Sequence, residues 1–140
     1  MIALPERGPF RLTADWILPI SAPPIRDGAL VVDESGRVSA LGPASAVPAG
    51  NLPSIAAGPV LMPGFVNAHT HLELTGLAGR VEDDDFTAWI RGVRELKASL
   101  GPEWFAEAAR RGVRDAFAAG ITAVLDTGDS GAVLPALVEL

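Results

Sequence analysis

From Phe65 onward, β-type and α-type patterns follow one another in a set order, and that order restricts the fold more than any other feature. Phe65 to Leu72 has the two-residue period of a strand: Phe65, Asn67, His69 and His71 share one face, and Val66, Ala68, Thr70 and Leu72 the other. Phe86 to Ser99 then carries Phe86, Trp89, Ile90, Val93 and Leu96 at helical spacing. Gly101-Pro102 breaks the chain and opens a second helix, Glu103 to about Ala119, with Gly120 as its C-terminal stop. That helix is expected to bury Phe105, Ala109, Val113, Ala116 and Phe117. Ile121 to Leu125 reads as a buried strand, and Ala132 to Leu140 opens a further helix. Strands joined through helices belong in a parallel sheet, so this half is α/β, with Phe86, Trp89, Ile90 and Val93 covering its outer face.

The preceding residues are all β in character. Phe10 to Ile20 is rich in β-formers and stops at Pro19. Ala29 to Asp33 and Arg37 to Leu41 form a hairpin around Glu34-Ser35-Gly36, with Gly36 left-handed. Gly42 to Gly58, rich in Ala, Pro and Gly, has no period and reads as a loop with short extended pieces, and Val60-Leu61-Met62 as one more strand. Two domains are expected, a β-layer over 1–60 and an α/β part over 61–140.

Both histidines of the chain, His69 and His71, lie on one face near the C-terminal end of the Phe65 strand. Met62-Pro63-Gly64 before it reads as a turn, with Gly64 at a positive φ. Neutral imidazole is a good ligand for Zn²⁺ and Fe²⁺, so His69 and His71 are candidate metal ligands, the alternative being a structural or solvated pair. Glu73 has the same parity. If the strand stays extended it faces the pocket as a substrate contact, and otherwise it is a solvated loop carboxylate. Leu72 to Asp85 reads as a loop whose closing run, Glu82 to Asp85, caps the following helix. Asp126, at the end of the later strand, is either a residue supporting a metal ligand or a loop-capping carboxylate.

The string PGFVNAHTHLE resembles the first metal-binding strand of the amidohydrolase superfamily, in its deaminase and chlorohydrolase branch, the cytosine deaminase and triazine hydrolase relatives. GALVVDESGRVSALGP is similar to the strand pair that precedes that strand, and GITAVLD to the second barrel strand. The resemblance implies the N-terminal part of a small β-sandwich followed by the first two units of a (β/α)8 barrel of the TIM type, incomplete in this chain, since such a barrel needs about 250 residues. It implies one divalent ion, Zn or Fe, held by His69 and His71. Water activated by that ion would attack a ring carbon, giving hydrolytic deamination or dechlorination of a small heterocycle. No histidine follows His71. The family's further ligands, from the fifth and eighth strands, and the general base are therefore expected beyond Leu140, with no catalytic residue inside the chain. The 140 residues alone are expected to be inactive. The rivals are a two-metal cyclic-amide hydrolase of the hydantoinase or dihydroorotase type and a non-catalytic interaction fragment. The first needs a bridging carbamylated lysine, which Lys97, on a helix, cannot supply.

Composition narrows the partners. Asp and Glu number 17 against 11 Lys and Arg, which argues against nucleic acid or an anionic membrane. The absence of cysteine excludes disulfides and thiolate zinc sites, and no apolar run approaches a membrane span. The N-terminal residues lack the pattern of a signal peptide, so a cytoplasmic protein is expected, acting on a small molecule, as a homo-oligomer if the complete protein assembles.

Overall fold

Phe10, Leu12, Ala14 and Ile17 are the buried apolar positions around which the first sheet forms in the computed structural model, which describes Pro5 and residues 8–139. Residues Met1–Pro63 make one unit and Gly64–Leu140 a second, in a mixed α/β structure. In the first unit β1 (Phe10–Ile17) pairs antiparallel with β2 (Ile25–Val32), and β2 with β3 (Val38–Pro43). Two short strands, β4 (Ser54–Ala56) and β5 (Val60–Leu61), run parallel to β1 along its other edge. The described residues of this unit thus form a single five-stranded sheet.

Local chemistry accounts for the hairpin between β2 and β3. Gly36 sits at φ 79°, and Asp33 Oδ1 accepts the N–H groups of Ser35 and Arg37 at 2.8 and 3.0 Å. The Ser35 hydroxyl, and after it the Arg37 N–H, holds the Asp33 carboxyl below the usual aspartate range. The aperiodic loop before β4 is tied down by Arg11, a buried guanidinium. It donates to the carbonyls of Val47 and Ala44 at 2.8 and 3.2 Å and to Ser54 Oγ at 3.1 Å.

In the second unit β6 (Phe65–Thr70) and β7 (Ile121–Asp126) pair in parallel, with Phe65 opposite Ile121 and Thr70 opposite Asp126. Between them come a 3₁₀ helix (Leu72–Leu77), α1 (Phe86–Ala98) and α2 (Pro102–Ala118), and α3 (Val133–Val138) follows β7. Leu72, Ala109, Val113, Val133 and Ala136 form the core, so α2 is the helix packed between the 3₁₀ turn and α3. Asp85 caps α1 by accepting the Ala88 N–H at 2.7 Å, and Gly120 at φ 81° ends the turn after α2.

Five expectations need correction, the first being the buried character of Ile121 to Leu125, since no residue of β7 is buried and Leu125 is 62% exposed. The strand ends at Thr70, and Leu72 to Leu77 is helical where a loop was expected, because Leu72 and Leu77 are buried. Gly64 is not left-handed; glycine is needed there because a Cβ would collide with the Thr122 side chain. Phe117 is 63% exposed, and α2 buries the expected Ala109 and Val113 together with Ala108 and Gly112. Gly112 lets the 3₁₀ helix come so close that a Cβ would overlap Thr75 Oγ1 and lie 2.6 Å from the Leu72 carbonyl oxygen. Of the apolar stripe on α1, only Val93 is buried, and Phe86 and Trp89 stack on each other, 5.9 Å between centroids. That helix lies against the preceding loop, where a Cβ on Gly92 would stand 2.8 Å from Val81 Cγ1. No helix among the described residues is long and apolar enough to cross a membrane.

Candidate metal centre

The C-terminal end of β6 brings the two imidazoles together. His69 is the second-last residue of the strand and His71 the first beyond it, at φ −134° and ψ 72°. Both are exposed, and their rings lie edge to face with centroids 5.3 Å apart. Asn67 turns its carboxamide along its own strand and accepts the His69 N–H at 3.2 Å. Thr127, the first residue after β7, donates its N–H to the Thr70 carbonyl at 2.8 Å. Its hydroxyl lies 3.2 Å from that carbonyl and 3.2 Å from His71 Nε2.

Behind the imidazoles two carboxylates cross-link the strand ends. Asp126 Oδ2 accepts the Leu72 N–H and Oδ1 the Gly128 N–H, each at 2.9 Å. Those contacts are the loop-capping alternative of the two open for Asp126. Glu73 makes the reverse connection. Its carboxylate accepts the Asp129 N–H at 3.2 Å and the Ser130 N–H at 3.0 Å, together with the Ser130 hydroxyl. Lys97, from α1, donates to Glu73 Oε1 at 3.3 Å and also to Asp129. Asp129 raises the Lys97 ammonium above the ordinary lysine value, with Glu73 adding to the effect. Lys97 in turn lowers the Asp129 carboxyl.

Glu73 is therefore neither solvated nor on an extended strand: it is fully buried, in the first turn of the 3₁₀ helix. Its expected place facing the pocket rests on a strand that continues past Thr70, and the chain turns before reaching it. Thr127, Ser130 and Lys97 were not among the sequence-derived candidates. The only local sign of the first two is the run of small and polar residues DTGDSG, and Lys97 carries no sign at all. Among the described residues no three His, Cys, Asp or Glu side chains are gathered in a way that could hold a metal ion. His69 and His71 are the paired donors available.

The model of the amidohydrolase family matches residues 60–139. A 5-methylthioadenosine/S-adenosylhomocysteine deaminase of Halobacterium salinarum is 36% identical over 104 residues, covering 73% of this chain and 23% of that protein. An adenosine deaminase from Xanthomonas campestris with bound zinc superposes with a TM-score of 0.73 at 24% identity, over 97% of this chain and 32% of that one. Helicobacter pylori aminofutalosine deaminase gives a TM-score of 0.78 at 18% identity, over 94% and 33%. The chain thus spans about a quarter of the length of the curated relatives it matches. More than half of its residues, the two-histidine strand among them, fit one family model, and the chain belongs to the amidohydrolase family.

Proposed function

We propose that this chain supplies the segment of a metal-dependent hydrolase that carries the first two metal ligands, in an enzyme that deaminates a small heterocyclic amine. The observation that carries the reading is the His69–His71 pair at the end of a strand in a parallel sheet. Two imidazoles on one tetrahedral ion, each nitrogen about 2 Å from it, hold their ring centres roughly 5 Å apart. The pair here stands at 5.3 Å, a spacing compatible with a divalent ion, Zn²⁺ or Fe²⁺. When bound, such an ion lowers the pKa of water to near neutrality and acts as a Lewis acid.

The chain's own residues orient the donors. The second nitrogen of a metal-bound imidazole needs a partner that fixes the ring. Thr127 is placed for this at His71 when Nδ1 holds the ion: its hydroxyl then accepts the Nε2–H while donating to the Thr70 carbonyl. Asn67 holds the His69 backbone. The remaining ligands and the proton acceptor are left to the rest of a (β/α)8 barrel, of which β6 and β7 are read as the first two strands. The first unit is read as the start of a β-sandwich, with domains over 1–60 and 61–140. The deaminases among the relatives favour an aminopurine nucleoside as substrate.

Replacing His69 and His71 by Ala tests the assignment in the full-length enzyme. Each single variant should lose bound metal and ammonia release together, measured by elemental analysis and an assay on adenosine analogues. A double variant that keeps stoichiometric zinc or iron would overturn it.

A further inference from the structure

We infer that Glu73 is a positioning residue for the His71 imidazole, acting through the loop 127–130, and so sets the affinity of the histidine pair for its ion. The inference rests on the metal-site reading above. Glu73 is completely buried, yet its hydrogen bonds go to neither histidine. Its carboxylate is spent on one loop: the Asp129 and Ser130 N–H groups and the Ser130 hydroxyl converge on it, with Lys97 closing the remaining side. That loop begins at Thr127, whose hydroxyl is within hydrogen-bond distance of His71 Nε2. The path from buried anion to imidazole is thus three residues of backbone.

The geometry is over-determined in a way that a simple brace would not require. Burying a carboxylate is costly unless every lone pair finds a donor, and an apolar residue of the same volume often serves stability as well or better. An apolar side chain at position 73 could fill the space but could not fix where residues 129 and 130 point their N–H groups. Asp126, which accepts the Leu72 N–H, ties the same two segments in the opposite direction. Gly128 lies between the two carboxylates, and a Cβ there would stand 2.7 Å from the Glu73 carboxyl and 2.8 Å from Asp126 Oδ1. Position and orientation of the loop are set from both ends, and the group that benefits is the hydroxyl facing His71.

The test is zinc affinity, measured by competition with a chromophoric chelator, alongside thermal unfolding, for the wild type, E73Q, S130A, T127V and the E73Q/T127V double variant. Gln keeps the volume of Glu73 but turns an amide NH₂ toward groups that donate. E73Q should bind Zn²⁺ about tenfold more weakly, in the range typical of residues that support a ligand. S130A removes one hydroxyl and should weaken binding a few-fold in the same direction; it decides the matter with T127V should E73Q not fold. Once Thr127 is replaced, E73Q should add less than about twofold, since its route to His71 is already cut. If E73Q and S130A lower the melting temperature while binding zinc as the wild type does, Glu73 is only a brace and the inference fails. Full multiplication of the E73Q and T127V effects would overturn it as well. H71A separates the two readings: stoichiometric zinc retained in H71A removes the metal site itself, whereas zinc lost in H71A but undisturbed in E73Q removes only the role of Glu73.

Discussion

Asp126 serves two backbone donors at once, one on its own loop and one on the turn after the neighbouring strand. Asp126→Ala would leave the Leu72 and Gly128 N–H groups without an acceptor, and at a half-buried site this should cost about 1–3 kcal/mol. Urea unfolding measures it, and an unchanged midpoint would mean that water replaces the carboxylate freely. Gly128→Ala should cost a similar amount for a different reason, the overlap of the new Cβ with two carboxyl groups. Here the backbone φ is not left-handed, so the penalty is one of space alone. At this scale the histidine pair was readable from spacing, because the two-residue period of a strand needs no tertiary information. Glu73 was not, since parity reports a direction only while the chain stays extended, and that condition ends at Thr70.

At the scale of elements, α2 holds the second unit together by a stripe of small residues and one valine. Val113 is 2% exposed and Phe117 63%. Val113→Ala should therefore destabilise by about 2 kcal/mol, as loss of buried methyl groups does. Phe117→Ala, though it removes far more atoms, should stay within about 0.5 kcal/mol. Equal effects would place the core on the wrong face of the helix. Elements marked by local chemistry were legible: the Asp85 cap, the Gly36 and Gly120 turns, and the parallel pairing that helix-linked strands require. The 3₁₀ helix was not, because LELTGL carries no start signal and its turn is stabilised from outside, by burial of Leu72 and Leu77 and by the space left at Gly112. The α1 stripe was legible as a helix but not as to its partner. Amphipathicity marks an apolar face without naming what covers it.

Among the described residues, two ion pairs add to the Asp33 turn in shaping the response to pH. Asp129 is held below the ordinary aspartate value by Lys97, and Glu139 below the ordinary glutamate value by Arg110. A depressed folded-state value gives stability that is complete above the unfolded pKa and fades as the pH falls through the folded one. Lys97 is raised, so its share is complete below about 10.5 and is lost only as the pH climbs past the elevated value. Thermal unfolding should accordingly be flat through neutrality and decline below the usual carboxylate range. In Asp129→Asn the acid decline should be shallower; an identical acid limb would mean that the pair contributes nothing. The 140 residues alone should release no ammonia from adenosine, because two imidazoles fall one protein ligand short of the three that catalytic zinc sites use. Turnover that depends on added Zn²⁺ would contradict this.

The exchange of carboxylates between the ends of β6 and β7 also bears on how such enzymes can be recombined. Acceptor and donors lie on different segments, Glu73 on one and residues 129–130 on the other. A chimera joined near residue 100, with its later part taken from another amidohydrolase, inherits the buried anion and Lys97 but not the loop that supplies its other donors. Substitutions at 73 and 130 should thus be tolerated jointly rather than singly, and a library that shuffles the two segments as a block should yield more folded members than one that crosses over between them.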